Sequence, residues 1–329
     1  GWTDLLSFYS RHGGFILAMG LDKYMYVFLN RPIVEKKIIL HYTKSEIVEH
    51  VGELKHELAR EALKLNGVRT GIEISSLADI PASAGLGSSS CYLVGLLMAL
   101  HTFRKDYVSL QKLAEEACRI ELDILKKGIG KQDQYMAAFG GLTAMDISRD
   151  GKVKVRQLSL SSWAISELVS NCHIYFLHKK RDAMEMLKDK NQAMKKSGAE
   201  KRRVEESLLQ IREIGHRILK AIEAEDFDAF GRLMDSHWQN KKQLSKRISY
   251  GEVDSLYDSV KREYGVTGGK IIGAGGGGFI MLYCPKKRKE LTEFMARKGY
   301  PRLHYNLEFQ GTQVLTNTQV AHARDEGGK

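Results

Sequence analysis

The sequence predicts a two-domain α+β protein, and three observations lead to this fold class. The chain has 329 residues, which is long enough for two hydrophobic cores. Short segments with the two-residue period of strands alternate with longer segments whose apolar residues recur at helical spacing. A Ser-rich polar stretch at about 158–170 precedes a new strand. We therefore predict a first domain over 1–165, a second over 166–315 and a loose tail over 316–329.

The first domain is predicted to combine strands with three helices. Strands are expected at 15–19, 24–29, 37–42, 71–76, 142–147 and 152–157. Helices are expected at 47–65, at 88–102 and from Ser109 through Ile124, because apolar residues recur there every three or four positions. Arg149-Asp150-Gly151 is predicted to form the turn between the last two strands.

The second domain is predicted to begin with a strand at 172–177. The chain from 182 to 248 is expected to be mostly helical, and 268–284 to form strand, glycine turn and strand. A charged helix at 286–298 and strands near 303–309 and 312–315 complete the prediction. We find no internal repeat.

Composition excludes several classes of protein. The chain is 43% apolar and 28% charged, as is ordinary for a globular protein. Its four cysteines are widely spaced and form no CxxC pair, so we expect reduced thiols rather than zinc or disulfides. The charge-free run 80–103 begins with Pro, Gly and Ser, which favours a loop and a buried helix over a membrane span. No secretion signal is recognisable, and we expect a cytoplasmic protein.

The formal net charge of +11 arises largely from Lys/Arg runs at 179–181, 195–196, 201–203 and 286–289. Solvated helix faces are the common meaning of such runs. The alternative is an electrostatic field that attracts a small polyanionic substrate. Nucleic-acid binding is disfavoured because no aromatic residues are interleaved with these runs.

The loop at 79–90 is the first functional signal. A predicted strand leads into Pro, Gly and Ser residues, and these lead into an apolar helix. Free amides and the positive end of the helix dipole favour an anion such as phosphate at this position. A Ser88 cap on a buried helix explains the loop equally well. The loop lacks the Gly-Lys-Ser/Thr ending of the P-loop.

A second glycine run, at 273–278, formally satisfies G-x-G-x-x-G. A dinucleotide fingerprint should open a helix, whereas 279–284 is predicted to be a strand, so we reject a Rossmann site. Four consecutive glycines cost chain entropy that a hairpin turn does not require. The run indicates that the backbone lies against a ligand.

These stretches resemble the motifs of the GHMP kinases. Pro81-x-x-x-Gly85-Leu86-Gly87-Ser88-Ser89-Ser90 resembles the second motif, 273–278 the third, and Gly1-Trp2-Thr3-Asp4 the end of the first. In the family a strand with a basic residue precedes this motif, and here it either lies before the numbered residues or is missing. The resemblance implies an N-terminal ribosomal-S5-domain-2-like domain, a C-terminal ferredoxin-like domain, and phosphoryl transfer from ATP with Mg²⁺.

The resemblance also implies roles for individual residues. Asp133 would accept the proton of the acceptor hydroxyl beside Lys131, and Ser89 and Glu121 would bind Mg²⁺, with Glu115 and Glu116 as alternatives on the same helix. The ATP-binding residues would be Pro81, Ala84, Gly85, Leu86, Gly87, Ser88, Ser89 and Ser90. The substrate-binding residues would be Thr3, Asp4, His12, Gly275, Gly276 and Gly277. In each case the alternative is a purely structural role, as a helix cap, a loop hydrogen bond or a solvated side chain.

Further motifs resemble the heptose 7-phosphate kinase branch of the family. They include His12-Gly13-Gly14, 130–135 and Trp238-x-x-Lys241. This implies phosphorylation of the anomeric hydroxyl of a sugar phosphate, whose own phosphate is expected to meet Arg11, Lys23, Lys241 or Lys242. The alternatives are a kinase of another sugar such as L-fucose, or a sugar sensor without turnover. We expect a sugar phosphate and ATP as partners, no nucleic acid and no membrane, and allow for a homodimer.

Overall fold

The computed structural model describes residues 2–81, 85–178, 198–245 and 247–318. Its helices are α1 (Leu6–His12), α2 (Glu57–Leu65), α3 (Ser88–Phe103), α4 (Leu110–Cys118), α5 (Gln132–Phe139), α6 (Ser162–Asn171), α7 (Ala199–Glu223), α8 (Phe227–Lys242), α9 (Gly251–Tyr264) and α10 (Arg288–Arg297). Its strands are β1 (Gly14–Met19), β2 (Met25–Asn30), β3 (Ile38–His41), β4 (Ser45–Val48), β5 (Ile72–Ala78), β6 (Leu142–Ile147), β7 (Val153–Gln157), β8 (Cys172–Phe176), β9 (Gly268–Ile271), β10 (Phe279–Tyr283) and β11 (Arg302–Leu303).

The N-terminal half is built around α3. This helix packs on the sheet β2-β5-β3-β4 and against α2, α4 and α5. Because neighbours lie on several sides, α3 is apolar on most of its surface rather than on one stripe. A second, antiparallel sheet, β1-β6-β7, lies beside α5. The body of α3, from Tyr92 to Leu100, lies in the core of this half and thereby holds its first turn in place.

The C-terminal half is an antiparallel sheet with the order β11-β8-β10-β9, against which α7 and α8 form a layer. The hairpin β9–β10 is the predicted strand, glycine turn and strand. Helix α9 is absent from the sequence prediction. Its buried residues do recur at helical spacing, namely Val253, Leu256, Tyr257 and Val260.

The helix predicted at 47–65 is wrong in its first third. Ile47 and Val48 instead pair with β3 as part of β4, and a 3₁₀ turn follows at Val51–Glu53. The Glu46 carboxylate accepts hydrogen bonds from the amides of Lys55 and His56, which directs the chain into α2. Pairing of β-branched residues with a neighbouring strand thus overrides the helical period.

The predicted helix from Ser109 through Ile124 also differs. α4 ends at Cys118, and a wider π-helical turn continues over Arg119–Ile124. The Leu125 amide accordingly bonds to the carbonyl of Ile120, five residues back. Such turns often accompany functional sites, and this one contains Glu121.

The chain after β11 crosses back to the N-terminal half instead of forming the predicted strands. Leu307 makes a single β-bridge with Leu21, and the Glu308 amide donates to the Gly20 carbonyl. Of the strands predicted near 303–309 and 312–315, the structure contains only the two-residue strand β11, which ends at Leu303, and 304–318 form no further strand. The predicted boundary at 165/166 lies inside α6. The basic runs at 179–181 and 195–196, and most of the predicted tail (319–329), lie outside the described residues.

In the described part of the chain, we find no helix whose length and apolar character would let it cross a bilayer.

Candidate active site

A cleft of about 360 Å³ is lined by residues from both halves of the chain. From the N-terminal half, Gly85 to Ser88 form the loop that enters α3. Gly85 and Gly87 have φ angles of +86° and +72°, which explains why glycine occupies both positions. Ser88 Oγ donates to the Pro81 carbonyl at 3.5 Å. The free amides at the start of α3 can hold a phosphate here. Ala84 lies outside the described residues.

Asp133 lies directly against this loop. A Cβ added to Gly87 would come within 3.2 Å of the Asp133 carboxyl carbon, so the absence of a side chain at Gly87 lets the two approach. Asp133 is solvent-exposed at the cleft, and protein groups around it partly desolvate its carboxylate. This desolvation, with the charges of Asp4 and Glu121, raises its pKa to about 6. The group can therefore exchange a proton near neutral pH.

Asp4 supports Asp133 from behind. Its carboxylate is buried and accepts the backbone N–H groups of Trp2 at 2.9 Å and of Gln132 at 3.1 Å. Gln132 is the first residue of α5, so Asp4 acts as a cap that fixes the turn bearing Asp133. The hydrogen bonds of Asp4 in the described residues are thus to backbone amides. Such a structural role is the alternative to the predicted contact with substrate hydroxyls.

Gly130 is required by Asp4. A Cβ at Gly130 would lie 1.8 Å from Asp4 Oδ2. We expect Gly130→Ala to displace the carboxylate, to release the Gln132 amide, and to destabilise the fold by about 1–3 kcal/mol. Urea unfolding measures the stability, and a substrate-turnover assay measures the effect on the site.

Gly52→Ala is the matched control, because a Cβ there meets nothing within 4 Å. Equal stability of the two variants would contradict the close approach of Asp4 to Gly130.

Glu121 is the centre of a buried hydrogen-bond network. Its side chain is fully buried, and it accepts bonds from Ser89 Oγ and Ser90 Oγ at 2.8 Å and from Gln134 Nε2 at 2.6 Å. Lys127 Nζ lies 3.4 Å away. Ser89 and Glu121, separated by 32 positions, are therefore in direct contact at the start of α3.

Ser89 and Glu121 are the candidates to hold a hard cation. Mg²⁺ typically takes one or two protein oxygens and completes its shell with phosphate oxygens and water. The Ser89 hydroxyl and the Glu121 carboxylate supply two such oxygens beside the phosphate loop. The described residues contain no cluster of three His, Cys, Asp or Glu side chains that could hold a metal ion alone. The arrangement fits a cation that arrives together with a phosphate ligand.

The glycine turn 273–278 comes from the other half and touches the first loop. Gly273 has φ +66°, and a Cβ on it would lie 2.8 Å from the Gly85 carbonyl oxygen. Gly275 packs in the same way on Ile248, whose carbonyl accepts the Gly276 amide at 2.8 Å. The two glycine loops thus meet at the cleft, and glycine is required where their backbones approach.

The structure places other predicted residues away from the cleft. Lys131 Nζ donates to the Gly151 carbonyl and lies over the Tyr9 ring, and Lys131 does not line the cleft. Thr3 is fully buried, and its hydroxyl bonds to the backbone of Phe15. His12 is paired with Glu205 and lines a different cleft. These positions do not support direct substrate contact.

The lysines predicted for a substrate phosphate differ in their surroundings. Lys23 lines the cleft and bonds to Asp22 at 2.6 Å, whereas Lys242 is paired with Asp254 at 3.2 Å. Arg11 lies 4.0 Å from Glu205. The Lys241 ammonium is occupied by two backbone carbonyls.

Sequence reasoning missed two contributors to the site. Gln134 is fully buried and donates to Glu121, a role that the motif at 130–135 does not indicate. Glu308 lines the cleft from the C-terminal segment and accepts the Tyr24 hydroxyl at 2.5 Å. No local pattern around Glu308 indicates this contact, since the two residues are 284 positions apart.

Comparisons with known proteins agree with this architecture. Residues 48–141 match the family model of the GHMP kinases N terminal domain, and residues 218–301 match that of the GHMP kinases C terminal domain. A D-glycero-alpha-D-manno-heptose 7-phosphate kinase of Campylobacter jejuni is 26% identical over 314 residues, which cover 91% of each chain. A galactokinase of Thermotoga maritima is 22% identical over 90% of this chain and 92% of its own.

The fold is also found among solved structures. The crystal structure of a D-glycero-D-manno-heptose 1-phosphate kinase from Bacteroides thetaiotaomicron superposes with a TM-score of 0.76 at 22% identity, covering 94% of this chain and 93% of that one. The two-domain fold predicted from the sequence is confirmed. The chain belongs to the GHMP kinase family and is a phosphotransferase that acts on a small molecule.

Proposed function

We propose that this protein transfers the terminal phosphoryl group of ATP to the anomeric hydroxyl of a sugar phosphate, D-glycero-D-manno-heptose 7-phosphate, to give the 1,7-bisphosphate. The observation that carries the proposal is the contact of Asp133 with Gly87 in the loop that enters α3. A base beside a phosphate cradle is what phosphoryl transfer to an alcohol requires. The name of the Campylobacter jejuni relative supports the choice of sugar.

Each residue of the site has a part in this proposal. The loop from Gly85 to Ser90 binds the ATP phosphates through amides and hydroxyls. Asp133 accepts the proton of the acceptor hydroxyl as the oxygen attacks, and Asp4 keeps α5 in place beneath it. Ser89 and Glu121 would hold Mg²⁺, which would offset the charge on the phosphate oxygens. An anomeric hydroxyl is more acidic than an ordinary alcohol, so a carboxylate suffices as base.

The decisive experiment measures ADP release with a panel of sugars and sugar phosphates. We expect turnover with heptose 7-phosphate and none with the unphosphorylated heptose at the same concentration. Turnover restricted to L-fucose or galactose would overturn the substrate but retain the kinase. Binding of a sugar without any ADP release would favour the sugar sensor.

The pKa of Asp133 predicts how activity depends on pH. Only the ionised carboxylate acts as a base, and its pKa is raised from 3.8 to about 6 in the ligand-free protein. We therefore expect kcat/KM to be constant above about pH 6 and to fall tenfold per pH unit below it. Rate measurements from pH 4.5 to 8.5 on protein shown to be folded at each pH test this. A profile that stays flat down to pH 4.5 would contradict the raised pKa.

A further inference from the structure

Lys241, at the end of α8, is a buried lysine directly behind the glycine turn. Its side chain is 3% exposed, and it is not among the residues that line the cleft. Nζ donates to the carbonyl oxygen of Ile271 at 2.9 Å and to that of Gly273 at 2.8 Å. Ile271 ends β9 and Gly273 begins the turn, so the ammonium fixes the backbone at the point where the strand passes into the turn.

The charge of Lys241 is not neutralised by a carboxylate in the described part of the chain. Its other neighbours are the Trp2 ring, 5.9 Å from Nζ, and the positive charge of Lys270. Burial, and then Lys270, lower the pKa of Lys241 well below its usual value. A buried unpaired ammonium costs folding free energy that an apolar side chain of the same length avoids. This indicates a role other than stability.

The turn also carries backbone amides without a hydrogen-bond partner among the described residues. The Gly276 amide donates to Ile248, but the amides of Ala274, Gly275, Gly277 and Gly278 have no partner among the described residues. Gly277 and Gly278 are buried. Successive free amides in a glycine turn form a concavity that binds anions. Because Lys241 fixes the carbonyls at the start of the turn, it also limits where these amides can point.

We propose that Lys241 is a positioning residue for phosphoryl transfer, holding the free amides of the turn 273–278 in the arrangement that binds a phosphate oxyanion. The proposal rests on the phosphoryl transfer proposed above. The oxyanion belongs either to the phosphate of the acceptor or to the phosphoryl group that ATP transfers. Lys241 acts through the backbone and does not contact the substrate.

The test compares Lys241→Met, Lys241→Arg and a matched control, Lys261→Met. Lys261 also lies over an aromatic ring, that of Tyr257 at 5.7 Å, but its ammonium is paired with Asp235 and, among the described residues, makes no hydrogen bond to the glycine turn. We expect Lys241→Met to lower kcat/KM by about 10²-fold, because small displacements of positioning groups have effects of that order. Lys241→Arg, which retains charge and donors, should recover part of the loss, and the control should keep wild-type kcat/KM.

The kinetic constants distinguish the two sources of the oxyanion. A rise in the KM of the acceptor alone assigns it to the acceptor phosphate, whereas a fall in kcat or a rise in the KM of ATP assigns it to the transferred group. Wild-type kcat and KM in folded Lys241→Met would overturn the proposal. Loss of the fold in both Lys241 variants would also overturn it, because the lysine would then serve only stability.

Hydrogen exchange separates failure of this proposal from failure of the proposed substrate. If the wild-type protein turns over no sugar phosphate, the substrate is wrong, but the role of Lys241 can still be measured in the ligand-free protein. We expect faster amide exchange in peptides covering 271–279 in Lys241→Met and no change there in Lys261→Met. Identical exchange in both variants would overturn the role of Lys241.

Discussion

Asp133→Asn is expected to keep ATP binding and to lose turnover by about 10²–10⁴-fold, the range that a general base contributes. The amide has nearly the same shape but cannot accept the hydroxyl proton. The loop from Gly85 to Ser88 should be unaffected, because the asparagine side chain has the size of the aspartate side chain and fits beside Gly87 in the same way. Steady-state ADP release gives kcat, and calorimetric titration with ATP gives the dissociation constant.

Stability provides an internal control for this variant. The pKa of Asp133 is raised in the folded protein, so ionising this group lowers stability as the pH rises through about 6. At pH 7.5 the asparagine removes that destabilisation, and we expect a Tm no lower than that of the wild type. The exposed Asp258 in α9 offers a matched change, Asp258→Asn, which should retain full turnover. Normal turnover by Asp133→Asn would contradict the assignment of the base.

Glu121→Gln is expected to affect both activity and folding. In the wild type the carboxylate accepts bonds from Ser89, Ser90 and Gln134, and each hydrogen bond to a charged group is worth about 1.5–3 kcal/mol. In the glutamine, an NH₂ group replaces one carboxylate oxygen and cannot accept a hydrogen bond, so at least one of these three bonds is lost. We expect a lower free energy of unfolding in urea, and a higher Mg²⁺ concentration for half-maximal ADP release.

Glu115→Gln is the matched control on the preceding helix. Glu115 is exposed and contacts Gln111 at 2.7 Å, so its replacement should alter neither the unfolding free energy nor the Mg²⁺ requirement. A Mg²⁺ requirement that rises in Glu115→Gln and stays normal in Glu121→Gln would reverse the assignment.

Local patterns were sufficient for most elements. The apolar run after Ser88 predicts α3, and the β-rich segment after Gly278 predicts β10, both of which the structure contains. The errors lie where tertiary contacts oppose the local pattern. Ile47 and Val48 fit the helical spacing of the residues that follow them, but they pair with β3. The chain at 305–312 makes backbone hydrogen bonds to the N-terminal half instead of forming the predicted strands. Single-sequence periodicity carries no information on such partners.

The site shows the same division. Gly87 could be selected because it lies in a Gly/Ser loop at a helix start, and Glu121 and Asp133 because the resemblance to the GHMP kinases implies cation and proton chemistry at these positions. Gln134 could not be assigned a role in this way, and the sequence predicts for Lys241 a contact with the substrate phosphate, whereas its ammonium lies on backbone carbonyls. Gln134 acts through a hydrogen bond to Glu121, and Lys241 acts through carbonyls 30 and 32 positions away.

The sequence alone therefore determined the fold class, the family resemblance and the loop that enters α3. Only the tertiary structure decided that this loop lies against both Asp133 and the second glycine turn, and that Lys131, Thr3 and His12 make other contacts. The physical reason is that glycine is required where a backbone or carboxylate atom lies within about 3 Å of the position that a Cβ would take, as it does at Gly87, Gly130 and Gly273. A sequence shows that glycine is present, but the atom that approaches it is known only from the folded chain.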